Sequence, residues 1–173
     1  MTVSMYQASA PIFVQFLTAL SEVLGKGAAH AEAKKIDPHF LLNMRVAPDM
    51  FTLTQQVQQA TNHAISGVGR PAGVDLPDLG KGENSFSELQ ERIAKAIAFV
   101  KSIKSEQVDG TESKEITIKF PNGNERHFTS QTLLLNFCLP NFYFHCTTAY
   151  NILRHCGVEV GKRDFMGSPV QLC

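Results

Sequence analysis

His145 and Asn141 stand one helical turn apart in the run 131–155, and the stripe that carries them is otherwise apolar. At 100° per residue, Leu134, Cys138, Asn141, His145, Ala149, Ile152 and Cys156 share one side of a long helix interrupted at Pro140. An imidazole and an amide on a core-facing stripe need partners, because buried polar groups are costly unless hydrogen-bonded. Such a pair suits a ligand-binding, metal-binding or acid–base site. It equally suits a core histidine bonded to Asn141, a backbone carbonyl or Tyr6. Asn141 has a structural reading too. Pro140 frees the carbonyl one turn earlier, and a nearby amide can satisfy it. Cys138, Asn141 and His145 resemble a thiol-protease set in residue type only. Seven helical residues put Cys138 and His145 about 10 Å apart along the axis, too far for direct proton transfer.

These residues need elements to hold them. Phe13, Leu17, Leu20, Leu24, Ala28 and Ala31 recur at helical spacing and predict a first long helix. Ser4 and Gln7 read as a capping box ahead of it. Pro11 requires either a kink or a helix beginning near Ser9. Asp37 and Pro38 break the run, and a short helical piece follows from His39 to Val46. Pro48 and Asp49 open a second long helix, with Met50, Leu53, Val57, Ala60, Ala64 and Val68 on its apolar side. Gly67, Gly69 and Pro71 end it. The Gly-, Pro- and Asp-rich stretch 70–84 reads as a loop. Ser85 and Glu88 form a second capping box and start a third helix with Phe86, Leu89, Ile93, Ala96, Ile97 and Val100 inward. Ile116, Ile118 and Phe120 alternate with polar residues, and Asn122-Gly123 signals a hairpin turn. Thr129 or Ser130 caps the fourth long helix. Four amphipathic helices make an all-α bundle, with a small β-hairpin between helices three and four.

Bulk properties narrow the function. The 173 residues suit one domain spanning 1–173. Formal net charge is zero and no basic stripe stands out, so nucleic-acid binding is not expected. No run looks long and clean enough to span a bilayer, and the N-terminus lacks a basic leader segment. The four cysteines, Cys138, Cys146, Cys156 and Cys173, have no CxxC spacing. Free buried thiols in a reducing cytoplasm account for them. Phe137, Phe142, Tyr143, Phe144 and Tyr150 cover several faces of the fourth helix. Some of them therefore meet other elements or a second subunit.

The pattern resembles the DinB/YfiT-like superfamily of four-helix proteins, and within it a bacterial and fungal branch of unknown function. The resemblance rests on Ser4-Met-Tyr-Gln-Ala-Ser9, Arg45-Val-Ala-Pro-Asp-Met-Phe51, Gln56-Val-Gln58, Leu139-Pro-Asn-Phe-Tyr-Phe-His145, Thr148-Ala-Tyr-Asn-Ile-Leu-Arg154 and Gly161-Lys-Arg-Asp-Phe-Met-Gly167. It implies a four-helix fold and a homodimer. It also implies a divalent transition metal, zinc or nickel, held by three histidines: one from the second helix and two from an HxxxH on the last. Metal-assisted hydrolysis or thiol transfer is the chemistry that would follow. This sequence departs from that set. His145 matches the second histidine of the HxxxH, and Asn141 stands where the first should be. On the second helix His63 is the only histidine, roughly 100° from the centre of the apolar stripe, with Gln56 and Gln59 as the other polar residues. Amide carbonyls are weak ligands for such ions. The candidate ligand-binding residues are therefore His145, Asn141, Gln56 and His63, with His145 the best candidate for a metal. The alternative is a non-catalytic dimeric bundle.

Overall fold

The computed structural model describes residues 3–119 and 122–169, so Phe120 and Cys173 lie outside the described residues. Four long helices build the bundle: α1 (Ala10–Lys34), α3 (Leu53–Ala72), α4 (Phe86–Ser102) and α7 (Leu139–His155). Helix α3 packs on α4 and, most extensively, along α7, while α1 packs on α4 and α7 and closes the ring. Short helices α2 (Pro38–Leu42) and α5 (Ser105–Val108) fill connections, and α8 (Lys162–Met166) follows α7 and packs on α1. The antiparallel hairpin of β1 (Glu115–Lys119) and β2 (Glu125–Thr129) lies between α4 and α7, as expected, with Ile116 opposite Phe128. Ile116 and Ile118 are buried while their neighbours are exposed, which is the alternation that marked the strand. Gly123 at the turn has a φ of 83°, a left-handed conformation open to glycine.

The helix ends follow local chemistry. Helix α1 begins at Ala10 with Pro11 in its first turn, so Pro11 starts the helix rather than kinking it. Just before it, Ser4 and Gln7 make the reciprocal capping bonds. Helix α3 begins at Leu53, later than Pro48. Thr52 is a better cap there, because its side chain accepts from the Gln55 amide and the Gln55 side chain accepts from Thr52. The helix also runs through Gly67 and Gly69 instead of ending at them. A Cβ on Gly67 would come within 2.8 Å of the Phe13 ring and 3.2 Å of Cys138 Cβ, so glycine lets α3 closely approach α1 and the turn that leads into α7.

The last helix absorbs Pro140 by changing register. Helix α6 (Ser130–Thr132) continues into π-helical turns over Leu133–Cys138 and then into α7. A proline lacks the N–H that would close an α-helical bond, and a π bulge is one established accommodation.

Helix α1 corrects one expectation. It is long and apolar enough to cross a bilayer by length and composition. Its apolar stripe faces the core, where Phe13, Leu17 and Leu24 are fully buried.

Candidate functional site

The site forms where the first half of α3 meets α7. Thr52 sets the start of α3 and so places Gln56 at the end of its first turn. Gln56 is 1% exposed, and its Nε2 donates to the Phe51 carbonyl at 3.2 Å. That bond turns Oε1 toward His145 Nδ1, 2.7 Å away. The reverse amide orientation would set two carbonyl oxygens against each other, so Gln56 accepts and His145 donates from Nδ1. His145 is buried, at 7% exposed. Its Nε2 is therefore the ring nitrogen that keeps its lone pair. No side-chain nitrogen or oxygen buried from solvent lacks a partner among the described residues, and no protein group hydrogen-bonds Nε2. Nε2 therefore reaches solvent.

His63 lies almost parallel to His145, with ring centroids 5.7 Å apart and planes 11° from coplanar orientation. Phe51 stacks on His145 at 6.2 Å, and Phe144 meets it edge-on at 5.4 Å. Phe137 sits edge-on to His63 at 5.4 Å. Both imidazoles are pushed down to about 4, His145 by burial and His63 by burial with a smaller contribution from the neighbouring His145. Both rings are neutral at physiological pH. The pair can accept hydrogen bonds and cannot supply a positive charge.

Asn141 has a different use. Its Nδ2 donates to the Phe137 carbonyl at 2.7 Å, so the amide serves the backbone of the distorted helix. This corrects the expected repair at Pro140: the amide bonds the carbonyl one turn before Asn141 itself, not the one that Pro140 leaves free. The structure thus brings together His145, Gln56 and His63, and engages Asn141 with its own helix. His63 lies off the α3 stripe, yet the flank it occupies is the one that faces α7.

The donor set does not fit a three-histidine metal. Among the described residues no group of three or more His, Cys, Asp or Glu side chains gathers closely enough to hold an ion. Two imidazoles are present, and the Gln56 carbonyl that stands beside them is spent on His145 Nδ1. The thiols among the described residues are unsuited to nucleophilic chemistry. Burial raises Cys138 to about 12, against smaller opposing effects of Ser66 and Arg70, and burial raises Cys146 and Cys156 as well.

The aromatic set of α7 and the turns before it is mostly accounted for inside the molecule. Phe142 packs edge-on to Phe13, Tyr143 to Phe16, and Tyr150 to Phe165. Phe137 tilts against Phe128.

Sequence reasoning missed Arg92. It is 3% exposed and donates to Thr61, Asn62, Glu83 and the carbonyls of Leu79 and Gly80. The signal was available: Arg92 lies three residues after Leu89 and four before Ala96, on the buried side of α4.

Residues 5–166 match the family described as a domain of unknown function, DUF1993. The crystal structure of a DinB family member protein from Shewanella denitrificans superposes with a TM-score of 0.87 at 35% identity, covering 97% of this chain and 94% of that one. The chain belongs to the DUF1993 family of DinB-like proteins. No curated protein matches it. In this DUF1993 protein, two of the segments that carry the resemblance end on the site. Arg45–Phe51 delivers the Phe51 ring and carbonyl, and Leu139–His145 delivers the imidazole.

Proposed function

We propose that this DinB-like protein binds a small protic molecule at the His63–His145 pair, without a three-histidine metal. The observation behind this reading is the Gln56–His145 hydrogen bond of 2.7 Å, which fixes the tautomer and leaves Nε2 as an acceptor. Toward a bound hydroxyl, thiol or amide N–H, His145 accepts a hydrogen bond. Toward a more acidic group it takes the proton, since a neutral imidazole is already in its basic form. His63 and Phe51 each supply a flat face beside the ring. The free thiols Cys138, Cys146 and Cys156 suit a reducing cytoplasm, which belongs to the same reading.

Phenol and anisole test it. Both are flat and of similar size, but only phenol can donate to Nε2. Titration of the full chain, followed through the His145 ring nitrogens, is expected to move Nε2 with phenol and not with anisole. That shift is expected to persist in Asn141→Ala, whose amide bonds its own helix. Equal responses to the two probes would sink the reading.

One observation favours a second reading, a dimeric bundle whose paired surface covers the site. Phe51 and Phe144 flank His145 yet are 45% and 54% exposed. A second copy of the chain would cover them. Sedimentation equilibrium of the wild type and Phe144→Asp decides this: a dimer lost in the variant supports it, and a monomer in both removes it.

A further inference from the structure

Seven residues beyond His145 on α7, about 10 Å along the helix, a separate cavity of about 260 Å³ opens between residues 44–46 and the last turn of α7. Met44, Val46 and Ile152 give it apolar walls, and Arg45, Asn151 and His155 supply its polar groups. Ile152 is 2% exposed, so the floor reaches the core. Pockets for drug-sized ligands begin near 300 Å³, so the occupant is small.

Arg45 is held but not neutralised. Its Nη1 donates to the Pro48 carbonyl at 3.2 Å, which pins the guanidinium to its own loop. That loop is in turn tied to the start of α3 by the Leu53 amide, which donates to the Met44 carbonyl at 2.9 Å. Among the described residues no carboxylate lies within 4 Å of Arg45. The opposite wall is a helix C-terminus, whose free carbonyls would ordinarily repel an anion. Here those carbonyls are occupied. Ile152 accepts from Cys156, Leu153 from Val158, and Arg154 from Gly157, at 3.0–3.1 Å.

We propose that this cavity binds a small amphipathic carboxylate. Arg45 takes the carboxylate through its remaining N–H groups, because a guanidinium fork matches that anion's geometry. The Asn151 amide adds a donor, and the alkyl or aryl body lies on Met44, Val46 and Ile152. A neutral apolar molecule would leave the guanidinium unused, and a small dianion would leave the apolar walls unused. The proposal does not rest on the His145 site.

The test is titration of the full chain with octanoate, and with octanamide as its uncharged counterpart, by calorimetry and backbone amide shifts. Octanoate is expected to bind saturably and to shift amides of residues 44–46 and 151–155. Octanamide is expected to bind at least about tenfold more weakly, the lower range for a hydrogen bond to a charged group. Arg45→Gln is expected to weaken octanoate by the same factor. Asn151→Trp, on an exposed position, is expected to block the cavity while leaving the fold intact. The phenol response at His145 should persist in Arg45→Gln. No saturable octanoate binding at millimolar concentration, equal affinity for octanamide, or an unchanged affinity in Arg45→Gln would each overturn the proposal.

Discussion

At the scale of single residues, the site depends on one amide. Gln56 presents its carbonyl to His145 and its NH2 to Phe51, so the same side chain sets a tautomer and anchors an aromatic. Gln56→Leu keeps the approximate size but orphans His145 Nδ1. The expected cost is about 1–3 kcal/mol, the range for a buried donor left unsatisfied, measured by chemical denaturation. His145→Ala should cost a similar amount by removing the other partner. The two losses should be less than additive in the double variant, because the residues share one bond. The histidines also make stability depend on pH. Both fold with pKa values near 4 against 6.5 unfolded, so the unfolded chain binds more protons between those values. Their contribution is intact above pH 6.5, falls as pH drops toward 4, and flattens below. Equilibrium unfolding from pH 7 to 4 should therefore show a decline that shrinks in the His63→Ala/His145→Ala double variant.

At the scale of elements, much was legible because periodicity reports a helix's buried side directly. Stripes built on Phe13, Leu53 and Leu89 marked three helices that the fold contains. Boundaries were less legible. Gly67 and Pro71 read as terminators, but a glycine inside a helix can serve close packing, and that need is visible only when Phe13 of another helix is in place. Gly67→Ala is expected to destabilise by about 1–3 kcal/mol, an overpacking cost, in thermal or chemical unfolding. The π-helical turns before Pro140 were not legible, since the sequence marks an interruption without saying how it is absorbed. Asn141→Ala should cost about 1 kcal/mol, the net value of a hydrogen bond, with no change in the His145 tautomer. A changed tautomer would return Asn141 to the site.

At the scale of the whole molecule, the polar pairings come from segments far apart in sequence. His145 and Gln56 are 89 residues apart, and His63 joins them from two turns further along α3. Residue type nominated all three, but only the α3–α7 packing brings them together. Arg92 works over shorter spans, from 9 to 31 residues, tying residues 79–83 to α3 and α4. Its partner Glu83 also accepts from Gln58 at 2.6 Å. Burial alone would raise the Glu83 carboxyl, but the bonds from Arg92 and Gln58 outweigh it and hold it below the usual range. Arg92→Leu should cost about 1–3 kcal/mol, because it leaves a half-buried carboxylate with only the Gln58 bond. Limited proteolysis should then cut first within residues 79–83.

The measurement that bears most directly on the central claim is nitrogen NMR of the His145 and His63 rings across pH 7 to 4. The account predicts that His145 carries its proton on Nδ1 throughout, with Nε2 unprotonated until the pH nears 4. It also predicts that Gln56→Leu removes this tautomer preference. Titration of His145 near 6.5, or a proton found on Nε2 at neutral pH, would contradict it.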